Sequence, residues 1–114
     1  MVNLGKRGEA TAGRYLRWKG FHILERNYRS EAGEIDLIAK KGGLVVFCEV
    51  KARSKGDFAA PYEAVNSGKM ARLKKAAEHW MAISHQDFAE CRFDVISILF
   101  GDKFRKIEHI ENAF

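Results

Sequence analysis

An α/β fold, a mixed central sheet flanked by helices in the order α-β-β-β-α-β-β, is predicted by three features of the sequence. These are two segments of helical periodicity, five short apolar or alternating runs, and a Gly-Gly turn that joins two of those runs. At 114 residues, positions 1–114 are expected to form one domain, long enough to bury a core around a single sheet. No linker, repeat or low-complexity tract divides the sequence.

Residues 5–19 carry a helical pattern in which Glu9, Ala12, Gly13 and Leu16 share one face, and Gly20 supplies the C-terminal stop. Residues 21–29 (FHILERNYR) form a first strand, closed by the turn at 30–33. The runs 34–41 and 44–53 become two strands linked by Gly42-Gly43, a dipeptide suited to the positive φ angles of a two-residue hairpin. After an irregular stretch at 56–60, Pro61 is placed to open a helical turn through Val65, where its missing N–H costs nothing. Ser67 then caps a helix running to about Ile83. Met70, Leu73, Ala77, Trp80 and Met81 mark its packed side, and Arg72, Lys75 and His79 its solvent side. A largely buried strand at 93–100, a turn at 101–103 and a last strand at 104–111 complete the chain. The second helix acts as a crossover, right-handed if the strands it joins are parallel.

Twenty Lys and Arg against fifteen Asp and Glu give a net charge of +5 and a pI near 9.4, which favours anionic partners, nucleic acid first. Cys48 and Cys91 lack the CxxC spacing of a metal or redox pair, and Cys48 lies in an apolar run, as a reduced thiol does. Residues 1–8 hold no apolar core of a leader, and the longest apolar runs, 44–48 and 95–100, are too short to span a bilayer. A cytoplasmic protein without membrane contact is expected.

The 34–53 hairpin carries the chemistry. With Lys41 paired to Leu44, counting back sets Asp36 opposite Glu49 and Glu34 opposite Lys51. Alternation then puts Glu34, Asp36, Val45, Phe47, Glu49 and Lys51 on one face, and Ile35, Leu37, Val46, Cys48 and Val50 on the other. Facing carboxylates repel unless a cation joins them or one takes a proton. Their hard oxygens suit Mg²⁺, with Mn²⁺ as a substitute, and Lys51 is near enough to orient a nucleophile or stabilise charge on a phosphoryl group. The competing reading is a set of surface ion pairs, but these residues interrupt an otherwise apolar, central strand.

Other residues admit two readings each. Glu9 is either an acid stabilised by the helix dipole or a carboxylate held near a metal. Lys69, in the first turn of the second helix, either approaches a phosphate or is solvated. Arg72, Lys74 and Lys75, with Arg14, Arg17 and Lys19, offer a basic surface for phosphates, of which Lys69, Arg72 and Lys75 are the favoured contacts. Glu63 is assigned to bracing the following helix, and Asp94 to the start of a buried strand. The four histidines, at 22, 79, 85 and 109, lack the i, i+4 metal spacing and are assigned to structure or surface. Trp18, Phe58 and Tyr62 are expected to pack rather than to stack on bases.

Asp36, twelve intervening residues and Glu49-Val50-Lys51 resemble the half-motif of the PD-(D/E)xK nuclease superfamily. The segments GEATAGRYLRWKGFHILERNYRSEAGEIDLIA, VFCEVKARS, PYEAV, RFDV and IEHIENAF resemble the bacterial YraN family, also called uncharacterised protein family 0102, over nearly the whole chain. The resemblance implies a restriction-endonuclease-like fold distantly akin to Holliday junction resolvases. It also implies Asp36 and Glu49 as metal ligands, Lys51 as the catalytic lysine, and Glu9 as the acid contributed by the first helix. The sequence departs from the superfamily in having Ile35 where a proline usually precedes the Asp. The expected function is Mg²⁺-dependent endonucleolytic hydrolysis of DNA rather than RNA, on branched or repair and recombination intermediates, with a homodimer if both strands are cut. The main alternative is a non-catalytic nucleic-acid-binding module or adaptor that keeps the fold, and a weaker one is a protein-interaction domain.

Overall fold

A computed structural model describes residues 3–55 and 67–113. The elements are α1 (Leu4–Trp18), β1 (His22–Ser30), β2 (Gly33–Lys41), β3 (Leu44–Ser54), α2 (Ser67–Ile83), β4 (Glu90–Phe100) and β5 (Arg105–Ile110), in the predicted order. The expectations for Phe58, Pro61, Tyr62, Glu63 and Val65 lie outside the described residues. Among the described residues, no helix is long and apolar enough to cross a membrane.

Local chemistry sets the ends of α1. The Asn3 side chain accepts a hydrogen bond from Lys6 N at 2.8 Å, satisfying one of the unpaired first-turn donors. At the other end Gly20 adopts φ 99°, so that its N–H reaches Arg17 O at 3.0 Å and the N–H of Phe21 reaches Leu16 O at 2.9 Å. This is a Schellman cap, completed by Leu16 and Phe21 packing in one cluster.

The five strands lie in chain order, β1-β2-β3-β4-β5. The pairs β1–β2, β2–β3 and β4–β5 are antiparallel, whereas β3 and β4 are parallel along their full length from Leu44↔Glu90 to Ser54↔Phe100. A parallel pair needs a crossover, and α2 lies within it. β4 begins at Glu90, three residues before the predicted start, because the Gly43 carbonyl accepts the N–H groups of Ala89 (2.7 Å) and Glu90 (3.1 Å) and so starts the pairing early. In the β2–β3 turn only Gly42 takes a positive φ (57°), which gives the type II′ arrangement rather than positive angles at both glycines.

Two apolar clusters cover the two faces of the sheet. Under α1, Ala12, Leu16 and Phe21 pack on Leu37, Ala39, Val46, Cys48, Ile96 and Ile98. Under α2, Leu73, Ala76, Ala77 and Trp80 pack on Ile35, Ile38, Val45 and Phe47. Val45 and Phe47 are therefore core residues at the covered end of the face that also carries Glu49. Ile35 lies in the α2 cluster with Ile38, and not with Leu37 as strict alternation predicts. The alternation breaks beside Asp36, whose neighbour across β1, Asn27, has φ 51° and falls in a gap in the β1–β2 pairing.

α1 sits close against β3. A Cβ on Gly8 would lie 2.6 Å from the Ala52 Cβ, so glycine at this position permits the approach. Trp18 does not pack as expected. It is 83% exposed, because it lies about 200° around the helix from Leu16, at 100° per residue.

Candidate active site

The β2–β3 ladder keeps the predicted register from Lys41↔Leu44 to Leu37↔Cys48 and then stops, one pair short of Asp36 and Glu49. Where the strands part, the Asp36 side chain replaces backbone pairing, its Oδ2 accepting from Val50 N at 2.8 Å. Asp36 and Glu49 are thus neighbours at the mouth of a fork rather than a regular cross-strand pair. Burial raises the Asp36 carboxyl from its ordinary value near 3.8 to about 7. The Glu49 charge adds to the rise, the Val50 N–H opposes it, and Glu9 and Glu34 push it further up.

Glu49 is buried, with 6% exposure, and two cations converge on it. Its Oε1 takes Lys51 Nζ at 3.2 Å and the ammonium of Lys69 from the first turn of α2. Burial works against the charge on Lys69, but the contacts with Glu49 outweigh it and hold the ammonium above its usual value. The predicted Glu34–Lys51 pairing does not form. Glu34 lies opposite Arg29 in β1 and bonds its Nε at 3.2 Å, because β2 has left β3 by that point and Lys51 has turned to Glu49.

A pocket of about 160 Å³ opens on these groups, lined by Gly33, Glu34, Asp36, Glu49, Lys69, Arg72 and Leu73. Arg72 is an exposed part of its wall, whereas Lys75 is exposed on α2 outside it. A larger hollow of about 900 Å³ runs along the β1 edge from Arg17 to Arg26, but it contains neither carboxylate of the pair. Charge, not size, distinguishes the smaller pocket.

Glu9, on the turn of α1 that packs over β3, is half-buried and near enough to Asp36 to raise its proton affinity. Among the described residues, no three Asp, Glu, His or Cys side chains come together as a set able to hold an ion. Asp36 and Glu49 are the close acids, and Glu9 stands behind them.

A second ionised cluster lies under α1. Asp94 is fully buried and accepts Arg92 Nε and Nη2, both at 2.9 Å, the Asn112 N–H at 3.0 Å, and His109 Nε2 at 2.7 Å. Burial disfavours its charge, yet His109, Arg92 and the Asn112 N–H together hold the carboxyl below the usual carboxylate range. The other His109 nitrogen meets the Tyr15 hydroxyl at 2.9 Å, tying α1 to β4 and β5. Sequence reasoning placed Asp94 and His109 in structure but missed this link. The available signal was an acid between apolar residues in RFDV and a histidine in the last strand.

The family model described as uncharacterised protein family UPF0102 matches residues 8–98. A UPF0102 protein of Geobacter metallireducens is 47% identical over 112 residues, covering 98% of this chain and 92% of its own. One from Syntrophomonas wolfei is 48% identical over 111 residues, with 97% and 96% covered. One from Thermodesulfovibrio yellowstonii is 48% identical over 113 residues, with 99% and 96% covered.

Proposed function

The chain belongs to the uncharacterised protein family UPF0102, and we propose that it is a metal-dependent endonuclease of PD-(D/E)xK type that hydrolyses DNA phosphodiester bonds. The observation that carries this reading is the fork between β2 and β3. There a half-buried Asp36, raised to about 7, lies beside Glu49, and Lys51 and Lys69 converge on the Glu49 carboxylate.

The donor set fits a divalent ion. Two carboxylates that repel at neutral pH have hard oxygens, and Mg²⁺ takes one or two such ligands while keeping waters and substrate phosphate. Asp36 and Glu49 would hold it, with the Glu9 charge nearby. When bound, such an ion lowers the pKa of water and withdraws charge from a phosphoryl group.

The chain's own residues supply the rest. Lys69 in the pocket wall and Lys51 on the same Glu49 carboxylate present ammonium groups where negative charge grows on the phosphoryl oxygens. Without substrate, both cations neutralise Glu49 and keep its buried charge tolerable. Arg72 at the pocket wall and Lys75 one turn further along α2 can hold flanking phosphates, which position the strand without reading its sequence.

The test is cleavage of linear, flap and four-way junction DNA, with RNA counterparts, in Mg²⁺ or Mn²⁺. Activity should fall by about 100-fold or more in Asp36→Asn and Lys51→Met. Calorimetry should detect Mg²⁺ binding in the parent chain and not in Asp36→Asn. Cleavage that persists in both variants excludes the mechanism. Tight DNA binding without turnover under every metal condition replaces it with the non-catalytic binding module.

A further inference from the structure

Away from the carboxylate fork, α1 carries a differently built surface where it borders β5. Arg7, Thr11, Arg14 and Trp18 recur at steps of four, three and four, so they form one stripe along the helix. Arg105 and Ile107 of β5 face that stripe across a groove whose walls include Arg14 and Trp18. Arg14 is steadied by the Thr11 hydroxyl, 3.3 Å from its Nη2. At the far end Arg7 lies 4.3 Å over the Phe100 ring, beside a second hollow lined by Lys103, Phe104 and Arg105. Trp18 is 83% exposed and Phe104 56%, so an aromatic ring stands open at each end of an arginine-lined path. Among the described residues that line the two hollows, Asp102 is the one acid.

We propose that this path binds single-stranded nucleic acid, with bases stacked on Trp18 and Phe104 and phosphates paired to Arg7, Arg14 and Arg105. An exposed indole beside guanidinium groups offers what an unpaired base and its phosphate need, and stacking of this kind tolerates any sequence. A duplex cannot use it, because its bases already stack on one another. A second copy of this chain fits poorly, since a two-fold contact would bring the arginine stripe against itself. Tyr15 in the groove lining is tied through His109 to the buried Asp94, which holds α1 against the sheet. The polymer class rests on the endonuclease reading, whereas the single-stranded preference comes from the groove itself. Trp18 lies nine residues beyond Glu9, about 180° around α1, so the groove is a surface separate from the fork.

Intrinsic fluorescence tests this directly. Of the two tryptophans, Trp80 is 1% exposed, so emission changes on ligand addition report Trp18. In EDTA, where cleavage does not intervene, oligothymidylate should quench emission, and a blunt duplex of equal length should not. In anisotropy titrations with labelled oligothymidylate, Trp18→Leu should weaken binding about tenfold. Arg14→Gln with Arg105→Gln should lower the slope of log affinity against log salt by about 1.4. Binding without quenching, equal quenching by duplex, parent-like affinity in Trp18→Leu, or self-association that buries Trp18 would each overturn the proposal. Quenching with no cleavage in any metal would leave the groove standing and remove the nuclease. Cleavage that needs Asp36 but is indifferent to Trp18 and both arginines would do the reverse.

Discussion

Asp36→Asn should make this protein more stable above neutral pH, by an amount that depends on pH in a defined way. The carboxyl binds its proton with a midpoint of about 7 in the folded chain and near 3.8 when exposed. Between those values the native state holds a proton that the unfolded state has lost, so stability falls as pH rises through the window and levels off above it. At about 1.4 kcal/mol per pH unit, the full cost of ionising Asp36 in place is on the order of 4 kcal/mol, shared with its neighbour Glu49. Asparagine avoids that cost and keeps an oxygen to accept the Val50 N–H. Urea unfolding in EDTA at pH 5 and pH 8, with m-values compared to confirm two-state behaviour, gives the required difference. The advantage of Asp36→Asn should be about 2 to 3 kcal/mol larger at pH 8 than at pH 5. An advantage equal at the two pH values, or a variant less stable than the parent at pH 8, would refute the account of the fork as an electrostatically strained pair.

Perturbations at three further positions test the scaffold around the site. Gly8→Ala places a methyl 2.6 Å from the Ala52 Cβ. The resulting shift of α1, at about 1 to 3 kcal/mol, should outweigh the helix-propensity gain of at most about 1 kcal/mol, and Gly8→Val should be worse, both read as a lowered Tm. His109→Ala removes one partner of the fully buried Asp94 and should cost about 3 kcal/mol in chemical denaturation. Because the Asp94 carboxyl is held below its ordinary value, its contribution is complete above the unfolded value and is lost as pH falls through the folded one. Asp94→Asn should therefore flatten the acid limb of the stability curve.

The hairpin was legible because its register is a local property: a glycine turn and two strands of alternating character set the pairing from Lys41↔Leu44 to Leu37↔Cys48. Its end was not legible, since the fork depends on Asn27 in the neighbouring strand and on a side chain taking over a backbone partner. Lys69 could be placed in the first turn of a helix by the Ser67 cap, but its contact with Glu49 is set by how α2 docks on the sheet. Trp18 is expected to pack rather than to stack on bases, whereas its helical phase relative to Leu16 points outward. Asp94 read only as the start of a strand, because its partners Arg92, His109 and Asn112 span two strands and the segment beyond them.

The parallel join between β3 and β4 bears on how the charged groups of the fork are gathered during folding. The β1–β2–β3 meander forms from contacts close in sequence, so Asp36 and Glu49 can be brought together early, once these three strands have paired. Closing the chain from Ser54 to Glu90 is a longer-range event with a larger entropic toll, and Lys69 rides on the helix inside that span. A newly made chain would thus hold its two facing acids with Lys51 as their cation until the crossover seats and carries Lys69 to Glu49.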